Sequence, residues 1–164
     1  LILVLLFAVA VRVAVLLLTP NALQEDRDDY RRLAANLVEH GTFGKGDVPT
    51  AYRPPLYPLL LTGCVALHDR SRVAIGVLHV FLGVATVGLV LVLGRWWGLG
   101  RYGAAAAALL VACDPILLTS SSLVMTETLA TFLTTAGLLA LTWAERQCMT
   151  TAIAGGQRPA EYAK

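Results

Sequence analysis

Apolar and polar positions divide this chain into long hydrophobic runs around one polar insert. Residues 1–19, LILVLLFAVAVRVAVLLLT, are apolar but for Arg12 and a closing threonine. As a helix at 1.5 Å per residue they match about one hydrocarbon thickness of a bilayer, and Pro20-Asn21 ends the run. Residues 21–55 are polar and punctuated by Gly41, Gly44, Gly46 and Pro49. Within them, DRDDYRRLAANLVEHG sets Tyr30, Leu33, Ala34 and Leu37 at i, i+3, i+4 and i+7. That spacing predicts an amphipathic helix, stopped by Gly41. Residues 56–67, LYPLLLTGCVAL, are apolar but short for a span, and predict an interfacial or re-entrant helix started by Pro54-Pro55. Three more apolar runs follow, at 73–94, 102–118 and 123–143, separated by RWWGLGR and TSSS.

Composition reinforces the pattern. Hydrophobic residues are 57% of the 164, charged residues 15%, and the mean hydropathy is +0.68, against about 25% charged in an average soluble domain. The predicted fold is therefore an all-α, polytopic helical membrane protein of about four spans (1–19, 73–94, 102–118 and 123–143). Arginines in the 95–101 connector and after Trp143 place both on the cytoplasmic side. Residues 20–72 then form an extracytoplasmic loop carrying the amphipathic and interfacial helices, and 144–164 reads as a polar, disordered tail. The run begins at Leu1 without a methionine, so the chain reads as the amino-terminal part of something longer. A net charge of +2 without a basic cluster gives no reason to expect nucleic acid. Cys64, Cys113 and Cys148 lack metal or redox spacing.

Four places carry candidate chemistry. Glu25, Asp26, Asp28 and Asp29 crowd into EDRDDY. They are either caps and first-turn charges of the helix that follows, with Asp28 pairing to Arg31 or Arg32, or they include a general base. Arg53 precedes two prolines and is held extended by the first. It is either an interfacial anchor beside Tyr52 and Tyr57 or a guanidinium placed to take a phosphate. Glu127 lies early in the last apolar run, where a carboxylate either faces a cavity or stays wet at the boundary. Arg12, within the first run, is expected to snorkel to an interface. Asp114-Pro115 reads as a helix boundary, and His40, His68 and His79 form no ligand set.

Taken in order, DRDDYRRLAANLVEHGTFG, PTAYRPPLYPLLL and DPILLTSSSLVMTETLATFL resemble the amino-terminal part of GT-C membrane glycosyltransferases. The nearest branch is glycosyltransferase family 39, the protein mannosyltransferase and lipid A aminoarabinose transferase type. The resemblance covers residues 1–143, and R-P-P-L-Y-P is its most specific part. It implies sugar transfer from a polyprenyl-phosphate donor to a protein, lipid or glycan acceptor on the outer face of a membrane, with inversion. It implies an integral, multi-pass location in a bacterial-type plasma membrane, in contact with membrane lipid. Asp26 stands four residues before Tyr30, which carries the catalytic carboxylate over to Asp26. Arg53 takes the donor phosphate, and Glu127 with Tyr30 borders the cavity and positions the acceptor. No cofactor is implied, and a divalent metal is not called for although some relatives of this architecture use one. Family members are several hundred residues long, so the chain alone is expected to be inactive.

Two other readings fit the same pattern. A membrane scaffold or accessory subunit would leave Asp26 as a cap, Arg53 as an anchor and Glu127 as a wet residue. A fragment of a transporter or lipid flippase would use Glu127 in ion coupling, but calls for paired broken helices.

Overall fold

The computed structural model describes residues 1–154. Its helices are α1 (Ile2–Leu18), α2 (Tyr30–His40), α3 (Leu56–Val65), α4 (Ser71–Trp96), α5 (Arg101–Ala112), α6 (Pro115–Ser122) and α7 (Glu127–Ala154). Single 3-10 turns occupy Ala22–Gln24 and His68–Arg70. Two short antiparallel strands, β1 (Gly44–Lys45) and β2 (Val48–Pro49), form a ribbon after α2.

The expectation of about four spans is not met. Among the described residues, one helix is long and apolar enough to cross a bilayer, the continuous stretch His68–Trp96. α5 and α6 would make a second only as one span, across a 49° bend. The bend has a local cause: Asp114 caps α6 by accepting from the Leu117 N–H at 2.9 Å, and Pro115 occupies its first turn. α1 has 17 residues and α3 has 10, both short for a span. The apolar run at 123–143 becomes helical only from Glu127, and threonines at 128, 131, 134 and 135 dilute its greasy face. The multi-pass membrane location inferred from four spans is corrected by the same finding. α7 also continues to Ala154, through the first part of the segment read as a tail, and residues 155–164 lie outside those described.

α4 is the axis of the packing, in contact with α1, α3, α5, α6 and α7. Small residues let its neighbours approach. A methyl group added at Gly76 would meet Leu16, at Gly83 Arg12, and at Gly88 Leu5. Numbers fall along α1 as they rise along α4, so the two helices run antiparallel. On the other flank Ala104, Ala108 and Ala112 of α5 are each fully buried, one per turn, and Gly94 of α4 abuts Ala104. This is packing by close backbone approach, the device of small-xxx-small helix pairs. A second core joins α2 and α3 to α4 and α7 through Tyr30, Tyr57, Leu61, Ile75, Leu82 and Leu129. Each large apolar side chain fully buried there contributes about 1.5–3 kcal/mol.

Arg12 does not snorkel. It is 1% exposed, wedged against Gly83, with one weak hydrogen bond from Nη1 to the Ala8 carbonyl at 3.4 Å. The connector after α4 meets the far part of α7: Trp97 Nε1 donates to Thr142 Oγ1 at 3.2 Å, and Arg146 Nη1 to the Trp96 carbonyl at 2.9 Å. The two arginine-bearing segments thus share one end of the bundle.

Candidate functional site

The acid-rich segment is shaped by its own polar atoms. Asp26 precedes α2 and caps it from outside: its Oδ1 accepts from the Arg31 N–H at 3.2 Å and its Oδ2 from the Arg32 N–H at 2.9 Å. Two of the orphan donors that open every helix are satisfied in this way. Asp29, the residue just before α2, has φ +63°, a left-handed conformation that aspartate tolerates better than most residues. Its carboxylate pairs with Arg32 at 2.9 Å and accepts from Tyr52 Oη at 3.1 Å. At the other end Gly41, at φ +68°, stops the helix. Asn36 then ties α2 to the ribbon, its amide bonding the Thr42 carbonyl at 2.7 Å and both backbone groups of Gly46.

Across from α2 stands Arg53, in the bend that leads into α3. Its Nη2 donates to Asp28 Oδ1 at 2.7 Å, so Asp28 pairs with Arg53 and not with Arg31 or Arg32. The guanidinium lies 5.4 Å from the ring centroids of both Tyr30 and Tyr52, within cation–π range. Its Nε is buried without a hydrogen-bond partner. Partial desolvation works against the charge; Asp28 first, then the two tyrosines, more than offset it and hold the pKa above the ordinary arginine value.

Tyr30 links this cation to a buried chain. Its ring meets Tyr57 edge-on, centroids 5.2 Å apart at 85°. Tyr57, 1% exposed, bonds His79 Nε2 at 2.7 Å, and His79 Nδ1 bonds the Ser121 carbonyl at 2.9 Å. A carbonyl can only accept, so Nδ1 carries the proton there. In the neutral ring Nε2 then accepts from the Tyr57 hydroxyl. Burial first, then the charge of Asp26, raise the Tyr57 pKa far above the usual phenol value, and Glu127 adds to the rise. The phenol therefore stays a neutral donor, and it feels both candidate carboxylates.

The sequence-derived residues are brought together unevenly. Tyr30 and Arg53 are in contact, and Asp26 is held at the start of α2 by its two cap bonds. Glu127 is the first residue of α7 and exposed, not one turn inside a helix. Asp28, Tyr57 and His79 belong to the same network and were not singled out as site residues by the sequence. Tyr57 sits inside the RPPLYP motif, and a histidine within an apolar run is the signal that would have found His79. Among the described residues no three His, Cys, Asp or Glu side chains converge as metal ligands. The groove of about 830 Å³ between α1 and α4 is lined by none of the candidate site residues.

Comparison with known proteins agrees with the motifs. The family model described as dolichyl-phosphate-mannose-protein mannosyltransferase matches residues 2–154. No curated protein and no solved structure matches the chain. The match spans nearly all the described residues and includes every motif of the acid segment and the arginine-proline turn, so the chain belongs to the dolichyl-phosphate-mannose-protein mannosyltransferase family, glycosyltransferase family 39 of the GT-C class.

Proposed function

We propose that this chain supplies the donor-phosphate and base residues for transfer of a sugar from a polyprenyl-phosphate carrier to a hydroxyl or amine acceptor. The observation that carries the reading is the contact of Asp28 and Tyr30, from the acid segment, with Arg53, a cation whose Nε has no protein partner. Asp28 engages the guanidinium through Nη2 alone, which leaves donor capacity for a phosphate oxygen. In the reaction the acceptor oxygen or nitrogen bonds to the anomeric carbon, and its proton passes to Asp26. The bond from that carbon to the carrier phosphate breaks, the electron pair leaving with the phosphate beside Arg53. One displacement inverts the anomeric centre. Asp26 already accepts two backbone N–H bonds, but a carboxylate has about four lone-pair sites, so the cap leaves room for a proton. Tyr30 braces Arg53, and Glu127 positions the acceptor at the rim.

One observation favours the scaffold reading instead: both oxygens of Asp26 cap α2, a structural task. The deciding experiment, run in membranes on the full-length protein that carries this segment, follows radiolabelled polyprenyl-phosphate sugar, scoring retention on the protein and transfer to acceptor separately. Arg53→Ala is expected to lower donor retention and to slow transfer by about 10²–10³. Asp26→Asn, which keeps one capping oxygen, is expected to keep retention and to lose about 10²–10⁴ in transfer. Wild-type retention and transfer in both variants would leave the scaffold reading standing.

A further inference from the structure

The groove between α1 and α4 is apolar along nearly its whole length and polar at one end only. It follows α1 from Leu5 to Leu17, about 18 Å of helix axis at 1.5 Å per residue. Val9 and Val13 form one wall, Val77 and Phe81 the other. Val77 and Phe81 are more than 60% exposed, an arrangement that costs free energy unless something apolar covers them. Its volume of about 830 Å³ falls in the roughly 300–1,000 Å³ range of built ligand sites. At the end where α1 runs out and α4 begins, the lining changes to Asp69 and Arg72. These two stand three residues apart, both exposed. Neither belongs to any of the ion pairs among the described residues.

We propose that this groove seats a zwitterionic phospholipid with a primary ammonium headgroup. One acyl chain lies along the α1–α4 seam, the phosphate meets Arg72 and the ammonium meets Asp69. Charge complementarity selects this occupant. A fatty acid or a polyprenyl phosphate would use Arg72 but bring its anion against Asp69. A phosphatidylglycerol would do the same. A headgroup carrying both signs a few ångströms apart satisfies both side chains. The proposal is independent of the reading given to Arg53, since the groove and that site share no lining residue.

The test is lipid retention by the full chain. Protein purified in mild detergent is equilibrated with mixed micelles holding equal amounts of phosphatidylethanolamine and phosphatidylglycerol. It is then separated by gel filtration, and bound lipid is counted by mass spectrometry. Phosphatidylethanolamine is expected at about one per chain and enriched about tenfold, the consequence of one added charge-assisted contact. Arg72→Ala should lower its recovery about tenfold, and Asp69→Asn should abolish the enrichment while phosphatidylglycerol is still recovered. Val77→Trp, at an exposed groove position, should reduce both lipids without altering the helical circular dichroism. Equal recovery of the two lipids by the wild type would overturn the proposal. So would charge variants that behave as wild type, or displacement of phosphatidylethanolamine by an equal concentration of polyprenyl phosphate.

Discussion

Arg53 stands between two tyrosine rings with Asp28 2.7 Å from its Nη2, whereas Arg12 is 1% exposed and bonds only its own helix backbone, at 3.4 Å. Both have an Nε without a partner, but the surroundings give the shared feature opposite meanings. At Arg53 the charge is compensated by a carboxylate and two π faces, and the side chain retains about a third of its exposure. The side chain is therefore reachable in part, its buried Nε excepted, and the local cost is small. At Arg12 no acid is hydrogen-bonded or ion-paired among the described residues, and the effective penalty of an ion taken from water is several kcal/mol. A polar residue in an apolar setting is thus a functional candidate only when its neighbours share its charge and leave it accessible. Arg12 meets neither condition, and we read it as a cost to stability.

The largest test of that contrast is at Gly83. A methyl group there would overlap Arg12 Nε and lie 2.9 Å from its Cδ. Gly83→Ala should therefore cost about 3 kcal/mol, the upper range of overpacking, despite the roughly 1 kcal/mol by which alanine improves a helix over glycine. The same change made together with Arg12→Met should recover most of the loss, and urea unfolding midpoints of the four combinations measure the coupling. Next in size, Arg12→Met alone should stabilise the fold by about 2 kcal/mol, because a buried charge without a partner is exchanged for apolar volume. A lower thermal midpoint for that variant would break the comparison and point to a partner for Arg12.

Smaller effects are expected in the Arg53 network. Tyr57→Phe removes the donor to His79 Nε2 and should cost about 1–2 kcal/mol, for one buried acceptor left unsatisfied. It also has a pH signature. The Tyr57 pKa is raised in the folded state, by burial first and then by Asp26, so above the ordinary phenol value of about 10 the unfolded chain holds fewer protons. The stability this group provides is complete below that pH and is lost as pH rises beyond it. Wild type should accordingly lose up to about 1.4 kcal/mol per pH unit more than Tyr57→Phe across the alkaline limb. Least of all, Asp28→Asn should destabilise by about 0.5–1 kcal/mol, a part-exposed pair discounted for solvent screening. It should also make unfolding less sensitive to salt near neutral pH.

Local signals in the sequence were reliable where the structure is local. Gly41 ends α2 in a left-handed conformation, Pro54-Pro55 leads directly into α3, and Tyr30, Leu33 and Ala34 are buried at the predicted spacing. The arginine-proline turn and the acid segment were likewise found, because each is a contiguous motif. What stayed hidden depends on pairs distant in the chain: Asp28 with Arg53, Tyr57 with His79, Arg12 with Gly83. Helical periodicity reports on residues three or four apart and carries no register between helices. The span count failed for a related reason. Apolar content over a run does not report where the helix inside it begins, and Asp114-Pro115 and Glu127 reset those beginnings.

The position of Gly83 has a consequence for synthesis. α1 emerges from the ribosome before α4, and the surface that buries Arg12 lies midway along α4, beyond the acid segment and α3. α2 and α3 touch each other directly, although their shared core is completed only by α4 and α7. For all of that interval the guanidinium of Arg12 stays hydrated, and its dehydration falls on one late docking step. A nascent chain paused before residue 83 should accordingly leave Arg12 hydrated, with the α4 surface that buries it still unmade.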